Sequence, residues 1–134
     1  MLAFGIVGIG VVGFIWLAGS RPTASAEVIS RNGLHWHATL SIIIGGEKQI
    51  IPADIGLGVV HNPLHTHETD GVIHMEFNGL VTSEDLKLGK FFEVWKRDFY
   101  GDGKTVKILV NGEENKEFEN YMMKDGDVIE MYYN

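Results

Sequence analysis

The sequence predicts an α+β fold: an N-terminal transmembrane helix followed by a small β-grasp-like domain, with a mostly antiparallel sheet and one helix. A β-sandwich carrying one helix is the alternative. Three observations predict this. An uncharged apolar run opens the chain, stretches of period-two alternation follow it, and one stretch of helical apolar spacing lies between those stretches.

The apolar run covers residues 2–18. At about 1.5 Å per residue it reaches roughly 25 Å, near the lower limit for a bilayer core. Trp16 lies near its end, where an interfacial indole would sit. A secretory signal peptide is the rival reading, because Ala24-Ser25-Ala26 forms an A-x-A cleavage pattern. No Lys or Arg precedes the run, which favours the anchor. Residues 1–20 are therefore expected as an anchor or signal segment, 21–30 as a polar linker, and 31–134 as a histidine-rich α+β domain. The expected location is the membrane, with a single-pass anchor and the domain outside the cytoplasm.

Residues 34–44 alternate. Leu34, Trp36, Ala38, Leu40, Ile42 and Ile44 share one face, and His35, His37, Thr39 and Ser41 share the other. Gly45-Gly46 then predicts a tight turn into a hairpin. Residues 71–77 alternate again: Ile73, Met75 and Phe77 oppose Val72, His74 and Glu76. The spacing of Leu88, Phe92, Trp95 and Phe99 predicts a helix over 82–99, capped by Thr82 or Ser83. Further strands are expected at 106–110, before the Asn111-Gly112 turn, and at 128–133.

Composition narrows the chemistry. Asp and Glu number 18 against 11 Lys and Arg, a net charge of −7, so a nucleic-acid backbone is excluded as the main partner. The chain has no cysteine, which removes disulfides, thiolate zinc sites, iron–sulfur clusters and thiol nucleophiles. The acidic run at Glu113, Glu114, Glu117 and Glu119 lacks EF-hand spacing and reads as a solvated face.

Five of the six histidines fall in three short motifs: His35-Trp36-His37, His65-Thr66-His67 and Ile73-His74. In a strand, residues i and i+2 point the same way, about 6.5–7 Å apart. Two imidazoles so placed, with a third from a neighbouring strand, can converge on one ion about 2 Å from each nitrogen. Packing does not require imidazole at these positions, since Thr, Lys or Gln would solvate as well. His35, His37, His65, His67 and His74 are thus the expected metal ligands. Glu68, Asp70 and Glu76 are candidates for a carboxylate ligand, an orienting group or a base. Nitrogen donors without sulfur suit copper, zinc or non-haem iron. The expected extracytoplasmic setting and nearby methionines favour copper. His61, before Pro63, reads as a loop residue.

The segments LHWHA (34–38), IPADIG (51–56), LHTHE (64–68), GVIHME (71–76) and LGKFFEVW (88–95) resemble a family of small bacterial and archaeal proteins, usually membrane-anchored or exported. That family carries an HWH…IPANIG…HTHD..G.IH.E…LG.FF..W arrangement. The resemblance covers nearly all of 33–134 and implies that the five histidines act as one constellation. Glu68 stands here where Asp is commoner, and Asp54 where Asn is commoner.

The expected function is a membrane-anchored metal-binding domain, copper first, in metal delivery, storage or electron transfer. The alternatives are a non-catalytic accessory subunit of a larger membrane protein complex and a metal-dependent enzyme. No HExxH, G-x-S-x-G or P-loop names a reaction.

Overall fold

The structure, a computed structural model, describes residues 26–134. In chain order its strands are β1 (Val28–Ser30), β2 (Leu34–Ile44), β3 (Glu47–Gln49), β4 (Leu64–His65), β5 (Val72–Phe77), β6 (Val81–Thr82), β7 (Val106–Val110), β8 (Glu113–Asn115) and β9 (Val128–Tyr133). One α-helix, α1 (Leu88–Trp95), lies between β6 and β7. The main sheet runs β4-β5-β2-β9-β7-β8, with β3 paired to the end of β2. Within it β2 and β9 are parallel, and the other pairs are antiparallel. Strands β1 and β6 form a separate two-stranded ribbon. The β2–β3 turn places Gly45 and Gly46 at φ 58° and 81°, a pair of positive values that glycine adopts without strain.

Alternation divides β2 and β5 into two faces. Ala38, Leu40, Ile42, Ile73 and Met75 are buried and share the core with Leu88, Phe91 and Phe92 of α1. The opposite face carries His35, His37, His74 and Glu76, which are exposed or half-buried. The helix therefore closes the apolar side and leaves the histidine side open to solvent.

Several expectations are corrected. In place of an α+β, β-grasp-like domain behind a transmembrane helix, the described chain is a mostly-sheet domain with a single α-helix of eight residues. The sandwich alternative is not seen among the described residues either, because the second sheet has only two strands. No helix among the described residues is long and apolar enough to cross a membrane, so the single-pass membrane location is not supported. The span and signal assigned to 1–20 lie outside the described residues. Within the segment expected as linker, Val28–Ser30 form β1, which pairs with distant β6.

The helix is also shorter than its apolar spacing suggests. Thr82 N and Oγ1 both donate to Asp85 Oδ2, at 2.8 and 3.1 Å, and start a 3-10 turn over Ser83–Leu86. Lys87 then becomes extended (φ −64°, ψ 138°). There Leu88 N donates to Tyr121 O at 2.8 Å and Met123 N donates to Leu86 O at 2.9 Å. This pairing with a distant segment breaks the local helical run. At the other end Lys96 turns left-handed, at φ 60°, and stops α1 well before Phe99.

Candidate metal centre

Register brings the histidines together. Across β2 and β5, His37 faces His74 and His35 faces Glu76. Across β5 and β4, His74 faces His65. His65, His74 and His37 thus form one row over three adjacent strands. His67 lies two residues beyond His65, where the chain has left β4. Neighbouring ring centroids are 4.7 Å apart for His37–His74, 5.5 Å for His65–His74, 4.8 Å for His65–His67 and 4.5 Å for His67–His74. His35 joins through His37 at 4.8 Å. All five expected ligands therefore lie in one cluster.

Local hydrogen bonds hold these rings in place. Thr66, fully buried between His65 and His67, donates from Oγ1 to Pro52 O at 2.8 Å and accepts from Ile55 N at 3.1 Å. That fixes a strand otherwise only two residues long. His65 Nδ1 donates to Asn62 O at 2.8 Å. A carbonyl can only accept, so this bond places the His65 proton on Nδ1 and leaves Nε2 as the free donor atom, the arrangement typical of metal-ligating imidazole. On the far side of the row, Asp125 Oδ1 accepts from His37 N at 3.0 Å, and Gly126 N donates to His37 O at 2.8 Å.

Glu76 supplies the charge. Its Oε1 lies 3.3 Å from His35 Nε2, 3.4 Å from His65 Nε2 and 3.9 Å from His74 Nδ1. Two ligand atoms on one tetrahedral ion, each about 2.1 Å away, are about 3.4 Å apart. The first two contacts already match that spacing. A neutral His65 with its proton on Nδ1 presents a lone pair at Nε2 to a carboxylate oxygen. Two acceptors at that distance need a proton or a metal cation between them.

His74 lies at the centre of the cluster. Its Nδ1 is buried and has no hydrogen-bond partner, since 3.9 Å to Glu76 is too long for one. Burial, followed by the nearby His67, His37 and His65, holds His74 below the ordinary imidazole range, against the opposing pull of Glu76. A free lone pair in that ring is the form a metal takes up.

Two groups have ligand atoms within 4.8 Å of one another: His65, His67, His74 and Glu76, and His35, His37 and His74. Either could hold a metal ion. Beside them an open groove of about 790 Å³ is lined by His35, His61, His65, His67 and Glu76. His61 thus lines the mouth of the site, a position that its loop context did not suggest. Of the three candidate carboxylates, only Glu76 joins the cluster. Asp70 is engaged in a turn, its Oδ1 accepting from Val72 N at 3.0 Å. Met75 is fully buried on the opposite face and is no ligand. Sequence reasoning missed the supports Asn62 O, Thr66 and Asp125. A backbone carbonyl leaves no sequence signal, and the Asn62-Pro63 turn was the only available pointer to that corner.

Compared with protein-family models, with curated proteins and with solved structures, the chain finds no match.

Proposed function

We propose that this chain binds one divalent transition-metal ion through its histidine–Glu76 cluster, with copper(II) favoured, and serves in metal delivery or storage. The observation that carries this reading is the meeting of His65 Nε2 and Glu76 Oε1 at 3.4 Å, beside the partnerless Nδ1 of His74. These groups want a cation, and the spacing fits one ion. The donor set of imidazoles and one carboxylate suits copper, zinc or iron, and copper(II) binds such sites most tightly among divalent first-row ions. Among the described residues Met75 lies on the core side, and both ligand groups offer nitrogen and carboxylate oxygen alone. Half-exposed ligands such as Glu76, at 44% exposure, fit an ion that must come and go.

The open groove along the cluster favours a second reading, a metal-dependent enzyme in which the ion activates a bound water at the groove. It would require turnover of a substrate in addition to metal.

Elemental analysis of the full chain, purified without a polyhistidine tag, tests the first reading. Near-stoichiometric metal is expected, and it should be lost when His65 and His74 are both replaced by Ala. Metal-free protein that also takes up no copper or zinc on titration would overturn it.

A further inference from the structure

We propose that the outer face of the sheet, past the histidine row, is the contact surface for a second copy of this chain. The two copies pack face to face about a twofold axis that crosses the strands between residues 41 and 43. The inference stands apart from the metal-binding reading.

Register fixes what this face carries, because cross-strand partners point the same way. Its side chains fall in rows across the strands. One row holds Lys48, Ile43, Tyr132 and Lys107. The next holds Ser41, Glu130, Leu109 and Glu114. Ile50, just past β3, extends this second row, since its neighbour Ile51 points into the core. A third row holds Val72, Thr39 and Val128, and the histidine row follows it.

Two properties set this face apart from an ordinary solvated sheet surface. Apolar side chains occupy positions where polar ones are the rule: Ile50 is 77% and Val128 48% exposed, and Ile43, Leu109 and Val72 are half-buried. The charges are also sorted by sign, with lysines in the first row and glutamates in the second. Among the described residues neither Lys48 nor Lys107 makes an ion pair, in contrast to Lys87 and Lys90. Glu130 is held in place by Tyr132, whose hydroxyl donates to its Oε2 at 2.6 Å.

A twofold axis between the two rows lays the basic row of each copy on the acidic row of the other. That is the self-complementarity an isologous contact requires. Lys107 then crosses Leu109 of the second copy and places its ammonium between Glu130 and Glu114 of that copy. Lys48 likewise covers Ile50 of the second copy. A partner of one charge sign would match only one of the rows, whereas this chain matches both. The same rotation brings the Gly45-Gly46 turn of the second copy over Val72 and Thr39. His37 lies about 17 Å from the axis at about 3.3 Å per residue, beyond that turn. Both histidine clusters therefore stay open, at opposite ends of the pair. The footprint, about 24 Å across the strands and about 20 Å along them, is small for an interface, so the equilibrium depends on concentration.

Sedimentation of the untagged full chain over a range of concentrations tests this, together with thiol cross-linking. The chain has no cysteine, so a single introduced one reports alone. A monomer–dimer equilibrium is expected for the wild type. Lys107→Glu should raise the dissociation constant by about tenfold or more, because the change acts twice across the axis and sets like charges together. Adding Glu114→Lys to that variant should restore much of the association. Ser41→Cys, beside the axis, should be joined to itself by a bismaleimide spanning about 10 Å, the distance between packed sheets. Lys90→Cys, on α1, should not. A wild-type chain that stays monomeric at every concentration would overturn the proposal. So would a dimer indifferent to Lys107→Glu, a double variant that associates no better than the single one, or cross-linking as strong at residue 90 as at residue 41.

Discussion

Replacing His74 by Phe should raise the stability of the metal-free protein and remove most of its stabilisation by metal. The substitution keeps a planar ring on a strand, where aromatic residues fit well. It removes the buried Nδ1 that has no partner. An unsatisfied buried polar atom costs about 1–3 kcal/mol. The His74 side chain keeps 19% exposure and Phe is slightly larger than His, so the lower end of that range is the appropriate estimate. A gain of about 1 kcal/mol raises the melting temperature by about 4 °C for a domain of this size. On the metal-binding proposal, the wild-type chain should instead gain stability from metal. An ion at a hundredfold excess over its dissociation constant adds about 2.7 kcal/mol, or about 10 °C. The variant should lose most of that increment, because His74 belongs to both ligand groups. Calorimetry with and without Cu(II), at one pH and fixed ion concentration, measures both effects. A metal-free variant melting more than about 4 °C below wild type would show that Nδ1 is satisfied in the folded protein. A full metal-induced shift in the variant would refute the central role of His74.

Two further outcomes follow from the scaffold. Tyr133 is buried and donates to Phe99 O at 2.7 Å, and burial pushes its hydroxyl up to about 12. An unfolded tyrosine ionises near pH 10, so the contribution of Tyr133 is complete below about pH 10 and declines as pH rises to 12, by about 3 kcal/mol in all. Urea melts between pH 9 and 12 should show that decline, and Tyr133→Phe should shrink it; Tyr121, whose hydroxyl burial also raises and which donates to Asp127 Oδ2 at 2.6 Å, would supply the remainder. Gly71→Ala should cost about 2 kcal/mol or more, because residue 71 sits at φ 75° and a methyl there would strike Leu40 O. Since Gly71 leads into β5, copper affinity should fall as well, and a urea midpoint matching wild type would refute the reasoning.

The parts of this molecule that sequence reveals are those set by local periodicity. Alternation in β2 and β5 already separates Leu40 and Met75 from His37 and His74, because a strand side chain has only two directions. The gathering of the five histidines depends instead on register between strands some 30 residues apart, which no local pattern encodes. Buried His65 is placed less by its two-residue strand than by Thr66 reaching Pro52 and by Nδ1 reaching Asn62. Alternation in β5 already sets Glu76 on the face of His74, and pairing with His35 completes its selection over Glu68 and Asp70. The helical spacing overshoots α1 for a related reason. Apolar spacing continues through Phe99, but Lys87 is drawn into pairing with Met122 and Lys96 turns left-handed. Strand β1 resembles a linker in sequence because its partner β6 lies more than 50 residues away.

The histidine face and the apolar face of the sheet make opposite demands, and this separates function from folding. The buried residues of α1, β2 and β5 belong to one apolar core, and none of them is a histidine. On the outer side, a cross-strand row of Thr or Val would pair favourably without leaving a polar atom buried and partnerless. The row His65, His74, His37 instead leaves Nδ1 of His74 unsatisfied and sets Glu76 Oε1 against the free nitrogen of His65. As three protonated rings it would repel itself. A sheet chosen for stability alone has no reason to accept these costs, and a cation removes all of them at once: it satisfies the orphaned nitrogen, separates the facing acceptors and offsets the carboxylate. On the metal-binding proposal the outer face is frustrated without an ion and would be relieved by one, while the core beneath it is indifferent.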